Sequence, residues 1–373
     1  MPIDLEKIQA SITKTGFHLE YQIGDLLRKN GWHLISNRCY VDDLEGTVRE
    51  IDLLAYKVSI VKDFSLYTAL IISCKKNESN AWALLSRPVE EQDPNYNWRP
   101  FKGWSNHPAL QYYMKGKNWP HNYHEKLSKE CPELFQPPPV DVFAFQEMNK
   151  ASGSVQNDKA IFSSITSLMK AQSYEMSTLE GRQKNKKRLY QFNLVSLIDS
   201  DLVRVFFEGD KIESSFVDSE DYLCRYILNS EEAIARIKFV TAKSFPEVIK
   251  DYSKLHSKNK EVFSEYYDKF YSDAYKVWQK ANLLMGDFRN AIRSDLTAAR
   301  HRYDRKFIAF SDVGTYWHTE EKRLVIELHH ESITLPMIDS LNRDEALKGV
   351  VTKALVDIFH YDGEYTFEEG IPF

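Results

Sequence analysis

The sequence predicts an α/β protein with a helix, three strands and a second helix built around one mixed sheet, followed by an α+β C-terminal domain. Three observations lead to this prediction. Apolar residues recur at helical spacing over residues 5–29, apolar runs of strand length follow, and helical periodicity dominates from about residue 246. With 43% hydrophobic residues, the 373-residue chain can form about two folded domains.

The first element is a helix predicted over residues 5–29, in which Phe17, Ile23 and Leu27 repeat along one face and Gly31 marks the end. The runs WHLISNRCYV and TVREIDLLAYKV are joined by the acidic turn DDLEG, which indicates a β-hairpin. The third strand, SLYTALIISC, is apolar on both faces, as is typical at the centre of a sheet. The predicted order is therefore helix, then a three-stranded antiparallel meander.

A long insertion is predicted at about residues 86–137, because Pro, Asn and aromatic residues replace the strand pattern, with one short helix near ALQYYMK. Its aromatic residues could stack on unpaired bases, but packing over the core is favoured. These residues are Tyr96, Trp98, Phe101 and Trp104.

The remaining patterns complete two domains. VDVFAFQEM is predicted as a strand, DKAIFSSITSLMKAQSYEM as the second helix, YQFNLVSLIDS and LVRVFF as a strand pair, and IARIKFVT as a further strand. The first domain is thus predicted to span residues 1–245. Residues 246–373 form the second domain, with long helices, the strands KFIAFSDVG and KRLVIELHH, and the helix DEALKGVVTKALVDIF.

The overall charge excludes little. At −5 it gives no global attraction to nucleic acid, so any such binding must come from local basic patches. No apolar run approaches the roughly 18 residues of a membrane span, and the first residues lack the order of a signal peptide. We therefore expect a cytoplasmic protein that does not bind membranes.

One group of residues is typical of metal-dependent chemistry. Glu20 shares the packing face of the first helix, Glu50 and Asp52 share one face of the second strand, and Ser73 and Lys75 share one face of the third. If the two strands pair antiparallel beneath the helix, the three acids and Lys75 converge. Carboxylates that would repel each other suit Mg²⁺, and a neighbouring lysine can orient a water or offset charge on a phosphate.

The segments GFHLEYQIGDLLRKNGWHL, REIDLLAYK and LIISCKK together resemble the PD-(D/E)xK nucleases, the restriction-endonuclease-like superfamily, over residues 16–76. The resemblance implies a Mg²⁺- or Mn²⁺-dependent endonuclease acting on DNA, and the sequence leaves RNA open as an alternative to DNA. It implies Glu20, Asp52 and Lys75 as the catalytic set, Glu20 and Asp52 as metal ligands, and the Cys74 carbonyl as a further metal contact. A bacterial anti-phage defence or restriction context also follows from the family.

The sequence departs from the family at Ser73, where the motif has Glu or Asp. A neutral hydroxyl is a weaker ligand for a hard cation. Three alternatives stay open: Glu50 supplies the missing charge, Ser73 is tolerated with looser metal binding, or the site is inactive and the protein is a nuclease-fold subunit that binds nucleic acid or a partner protein.

Basic residues are candidates for contacts to nucleic-acid phosphates. A solvated loop is the favoured explanation of the run GRQKNKKRLY, and a solvated face explains the helix arginines equally well. They occur at the end of the third strand, in the run GRQKNKKRLY and on one face of a C-terminal helix. The candidates are Lys76, Lys186, Lys187, Arg188, Arg289, Arg293 and Arg300. Cleavage of both strands by one site per chain would favour a homodimer.

Overall fold

The protein was analysed as a computed structural model, which describes residues 4–42, 46–90, 92, 98–182, 186–305, 310 and 312–370. Its contacts divide the chain into two units. The first comprises Met1–His107 and Met114–Val262, and the second comprises Pro108–Tyr113 and Phe263–Phe373. The domain boundary predicted at residue 245 falls at the start of a long helix, whereas the first unit continues to Val262 within that helix.

Helices and strands alternate irregularly through the first two thirds of the chain. In chain order they are α1 (Leu5–Ile12), α2 (Gly16–Lys29), β1 (His33–Ile35), β2 (Arg38–Val41), β3 (Val48–Ile51), β4 (Leu53–Val61), β5 (Phe64–Lys76), β6 (Asn80–Arg87), β7 (Gly103–Ser105), α3 (Pro108–Met114), α4 (Trp119–Ser128), α5 (Pro132–Phe135), β8 (Asp141–Asn149), α6 (Lys159–Arg182), β9 (Arg188–Asp199), β10 (Leu202–Glu208), β11 (Lys211–Phe216), β12 (Ser219–Leu228), β13 (Glu231–Thr241) and α7 (Phe245–Tyr271).

The principal sheet of the first unit is mixed. Its strand order is β1-β4-β5-β9-β13-β12, with β7 also paired to β9. The strands β1, β4 and β5 are antiparallel, β9 runs parallel to both β5 and β13, and β12 is antiparallel to β13. A second sheet has the order β11-β10-β6-β8, and β2 pairs only with β3. The antiparallel pairing predicted for the second and third strands is confirmed.

Other predictions need correction. The single N-terminal helix is two helices, since the chain turns between Ile12 and Gly16. The runs YQFNLVSLIDS and LVRVFF are strands but not a pair: β9 lies between β5 and β13, while β10 pairs with β6, aligning Leu202 with Trp82. The strands β11 and β12 were not predicted. β11 is exposed throughout, so its sequence carries no alternation of buried and exposed residues.

Two glycines shape the way in which α2 meets the sheet. A Cβ on Gly24 would lie 2.9 Å from Leu34 Cδ2, so glycine permits the close approach of α2 to β1. Gly31 has a φ of 76°, the left-handed conformation that commonly follows a helix end, as the sequence predicted. The predicted packing of Phe17 is wrong because its side chain is 72% exposed.

Most of the predicted insertion packs within the first unit, as favoured from the sequence, since β7 pairs with β9 and the Trp104 ring lies 6.3 Å from that of Tyr190. The segment Pro108–Tyr113 belongs to the second unit. The other described aromatic residues pack against one another. The Phe101 ring contacts the rings of Trp119 and Tyr123 edge-on, and Trp98 contacts His124. Tyr96 lies outside the described residues. The short helix predicted near ALQYYMK is α3, and α4 and α5 follow it.

The second unit contains a small mixed sheet and several helices. Its later elements are α8 (Trp278–Asp304), β14 (Asp312–His318), β15 (Arg323–His329), α9 (Leu335–Asn342), α10 (Glu345–Ala354), the π-helical turn Leu355–Phe359 and β16 (Tyr365–Glu369). β15 is antiparallel to β14 and parallel to β16. Within the described part of the chain, no helix is long and apolar enough to span a membrane.

Candidate active site at the ends of β4 and β5

Asp52 lies where the chain passes from one sheet to another. The strand predicted from REIDLLAYK is divided at this residue, since β3 pairs with β2 and β4 pairs with β1 and β5. Ile51 and Leu53 on either side are buried, whereas the Asp52 side chain is 23% exposed. The break therefore places one carboxylate at a strand end with access to solvent.

The end of β5 provides the donors for this carboxylate. The β4–β5 ladder ends at Leu53 and Ile72, while β9 supports β5 as far as Lys76. The amide of Cys74, which lies beyond that ladder, donates to Asp52 Oδ2 at 2.7 Å instead of to a strand. Lys75 Nζ donates to the same oxygen at 3.3 Å. Local strand geometry thus brings together two of the predicted catalytic residues.

Ser73 completes the hydrogen bonds to Asp52. Its hydroxyl donates to Oδ2 at 3.1 Å, and the residue is only 3% exposed. A cavity of about 10 Å³ beside Asp52 and Ser73, closed partly by Leu168 and Ala171 of α6, has room for at most one water molecule. Serine fits where the family motif has a larger acid.

Glu20 and Glu50 contribute negative charge near Asp52. Glu20 lies one turn before Gly24 on the same face of α2. The close approach of the helix at Gly24 therefore also brings Glu20 to the sheet. Burial, and then the charges of Asp52 and Glu50, raise the pKa of Glu20 from 4.5 to about 7, while Lys75 opposes the shift. The predicted carboxylates therefore interact electrostatically, although Glu50 itself is exposed.

The chemistry of these residues suits a hard cation. No three His, Cys, Asp or Glu side chains among the described residues form a metal-binding group in this arrangement. Mg²⁺, however, commonly uses one or two carboxylates and completes its shell with water and substrate phosphate. A bound cation would relieve the repulsion between Glu20 and the carboxylates of Asp52 and Glu50. Asp52 Oδ1 accepts no hydrogen bond from the described residues and is therefore open to a ligand. Burial raises the pKa of the Cys74 thiol well above its usual value, so this thiol stays protonated.

The basic residues predicted to contact nucleic acid in the first unit differ in their surroundings. Lys76 is largely covered, bonded to the Thr13 carbonyl at 3.0 Å and paired with Asp199 at 3.4 Å. Lys187 pairs with Asp63 at 2.8 Å, and Arg188 lies over the ring of Tyr67. Lys186 is exposed, and its ammonium has no partner among the described residues.

The three arginines of α8 do not form the predicted surface ridge. Arg300 is fully buried and donates to Ser332 Oγ at 2.6 Å, so it cannot reach a phosphate outside the protein. Arg289 donates to the Val313 carbonyl and pairs with Asp312. Arg293 is exposed and borders a cavity of about 290 Å³ together with Arg289.

No protein-family model, no curated protein and no solved structure matches this chain. The functional interpretation therefore rests on the residues and their geometry.

The sequence prediction missed a second group of ionisable residues in the first unit, formed by Lys102, Asp221, Arg236 and Lys238. The only signal was that Arg236 and Lys238 alternate with apolar residues in IARIKFVT. That alternation is also typical of a strand with a solvated face. Their burial became evident only from the fold.

Proposed function

We propose that the protein is a metal-dependent endonuclease that hydrolyses phosphodiester bonds in DNA. The observation that supports it most is the juxtaposition of the Asp52 carboxylate with Lys75 at 3.3 Å, close to the charges of Glu20 and Glu50. This is the combination of acids and a lysine that the PD-(D/E)xK resemblance implies. A restriction or anti-phage role is part of the same proposal.

Each residue has a defined role in this proposal. Glu20 and Asp52 would hold the cation, and Glu50 would add negative charge in place of the acid that is absent at Ser73. When bound there, Mg²⁺ or Mn²⁺ supplies Lewis-acid stabilisation to the phosphate. Lys75 orients the attacking water and offsets negative charge on the phosphate oxygens. Ser73 and the Cys74 amide hold the Asp52 carboxylate in a fixed orientation through two hydrogen bonds.

A cleavage assay with matched variants tests the proposal. Wild-type protein, Asp52→Ala and Lys75→Ala are incubated with plasmid DNA, single-stranded DNA and RNA in Mg²⁺, Mn²⁺ or a chelator. We expect cleavage of DNA that requires the cation and decreases about a hundredfold or more in each variant, because each removes a charge needed in the transition state. Cleavage of RNA alone would correct the substrate.

The controls are Asp210→Ala and Lys211→Ala, which change an adjacent acid and lysine in the exposed β10–β11 turn. Both should cleave like the wild type. Circular dichroism melts establish that all four variants fold. Cleavage that persists in Asp52→Ala and Lys75→Ala would contradict the assigned site.

A second candidate is a catalytically inactive nuclease-fold subunit that binds nucleic acid or a partner protein. One observation favours it: Ser73, Cys74 and Lys75 all donate to the same oxygen of Asp52, so Lys75 already neutralises this acid. In this case the wild type binds labelled DNA in fluorescence anisotropy and cleaves none of the substrates with either cation.

A further inference from the structure

A second cavity in the first unit is lined by an excess of buried and half-buried cations. It has a volume of about 60 Å³ and shares no lining residue with the small cavity beside Asp52. Lys102, Arg236 and Lys238 face it, and Asp221 is the one carboxylate among its lining residues. We refer to these four residues and the space between them as the basic cavity.

Strand pairing brings together three of the four residues of the basic cavity. Asp221 of β12 lies opposite Lys238 of β13 and diagonal to Arg236. Asp221 Oδ2 accepts from Arg236 Nη2 at 2.7 Å and from Lys238 Nζ at 3.3 Å. Burial alone would raise the pKa of Asp221, but the charges of Lys238 and Arg236 outweigh burial and lower it. One ionised acid is therefore shared by two cations.

Arg236 keeps unused hydrogen-bond donors in this enclosed place. Its side chain is only 10% exposed, and neither Nε nor Nη1 has a hydrogen-bond partner among the residues that the structure describes. A guanidinium presents its donors in a fixed fork that matches the oxygens of phosphate or carboxylate. Buried donors without acceptors are costly, so this arrangement is suited to an anion.

Lys102 adds a third positive charge from another part of the chain. Its ammonium forms no hydrogen bond or ion pair with the described residues, and burial lowers its pKa. Gln172 of α6 is also buried there and can donate from its amide. Burial, followed by the charge of Arg236, lowers the pKa of His124 to about 3, so His124 adds no charge at neutral pH. Three cations thus face one acid.

We propose that the basic cavity binds a phosphoryl group. A volume of about 60 Å³ holds roughly four water-sized atoms, which matches the four oxygens of a phosphate. Arg236 and Lys102 supply the donors that Asp221 leaves unused. An adjoining depression of about 240 Å³ shares Lys102 and Gln172 with the cavity, which gives an organic group on the phosphate a place to lie. Free orthophosphate and a phosphomonoester are the two sources of this chemistry.

Isothermal titration calorimetry with orthophosphate tests the proposal, using the full chain in a chelator so that no cation bridges phosphate to Asp52. We expect saturable binding to the wild type and at least a tenfold weaker affinity for Lys102→Met, which keeps most of the length of the side chain and removes its charge. Adenosine monophosphate is titrated in parallel. Tighter binding of the monophosphate identifies a phosphomonoester, and equal or weaker binding identifies orthophosphate.

Three comparisons keep the result interpretable. Lys211→Met removes an exposed lysine and should bind phosphate like the wild type. Asp52→Ala should also bind normally, because this inference does not depend on the proposed nuclease activity. Without phosphate, Lys102→Met should melt no lower than the wild type, since it removes a buried charge without a partner. Absent binding at millimolar phosphate, or unchanged binding in Lys102→Met, would mean that the cavity holds only water and overturn the proposal.

Discussion

The region around Asp52 has an excess of negative charge and is partly exposed, whereas the basic cavity has an excess of positive charge and is more deeply buried. Around Asp52, three carboxylates accompany one ammonium, and the Asp52 and Lys75 side chains are 23% and 29% exposed. In the basic cavity, three cations accompany one carboxylate, and the Asp221 and Arg236 side chains are each 10% exposed. The first region suits a cation and the second suits an anion.

The difference in exposure determines how strongly each excess of charge affects the stability of the fold. Water screens exposed charges, so partly exposed ion pairs stabilise a protein by about 1 kcal/mol or less. A buried charge that loses its partner costs several kcal/mol. Removing a carboxylate should therefore act mainly on ligand binding at Asp52 and mainly on stability at Asp221.

The largest expected effect tests this contrast directly. Asp221→Asn removes the carboxylate charge to which both Arg236 and Lys238 donate, and should lower the free energy of unfolding by about 3–5 kcal/mol. Asp52→Asn retains an acceptor at a partly exposed site and should lower it by about 1 kcal/mol. Urea denaturation at pH 7 without phosphate measures both. Equal losses in the two variants would mean that the two regions do not differ in this way.

A smaller effect should follow from placing at position 73 the acid that the PD-(D/E)xK motif has there. Ser73→Asp places a second carboxylate against Asp52, at a position that is 3% exposed and beside a cavity of about 10 Å³. We expect the free energy of unfolding to fall by about 1–3 kcal/mol without metal. Mg²⁺ should return part of this loss, because a bound cation neutralises the added charge.

The matched control for that experiment is Ser164→Asp. Ser164 is also buried, and its hydroxyl bonds to that of Ser196 at 2.8 Å, so an acid there should be destabilising as well. It has no expected role in binding a cation. Thermal melts with and without Mg²⁺ compare the two, and rescue of both variants to the same extent would argue against a cation site at Asp52.

The sequence predicted the proximity of Asp52 and Lys75 because they lie at the ends of neighbouring strands of the chain. A short turn joins β4 to β5 and makes the two strands pair antiparallel. Asp52 precedes the first strand and Lys75 lies near the end of the second, so their proximity follows from the strand pattern. The break at Asp52 could not be predicted in the same way. It depends on β3 leaving the sheet to pair with β2, which local periodicity does not reveal.

The basic cavity escaped prediction for a different physical reason. Lys102 lies in the predicted insertion, Gln172 on α6 and Arg236 on β13, so only the tertiary fold brings them together. Sequence periodicity shows how residues are arranged within a single helix or strand, but not which elements meet in the fold. For the same reason Arg300 was assigned to a surface ridge from its helical spacing, although its side chain is buried within the second unit.

The smallest expected effect concerns the pH dependence of stability at Glu20. Because its pKa rises from 4.5 to about 7 on folding, the folded protein binds the proton more tightly. The contribution of protonated Glu20 to the free energy of unfolding is fully present below pH 4.5 and is lost as the pH rises through about 7. Glu20→Gln should remove this loss and be more stable than the wild type at pH 8 by about 1 kcal/mol, a value that allows for solvent screening of a partly exposed group.

Urea denaturation without metal, from pH 4.5 to 8, measures this difference, with Glu180→Gln as the control on an exposed acid of α6. The control should follow the wild type at every pH. Adding Mg²⁺ should then stabilise the wild type at pH 8 more than Glu20→Gln, because the cation replaces the proton on an ionised Glu20. If Glu20→Gln is less stable than the wild type at pH 8 without metal, the neighbouring acids do not repel Glu20. The electrostatic argument for a cation at Asp52 would then be wrong.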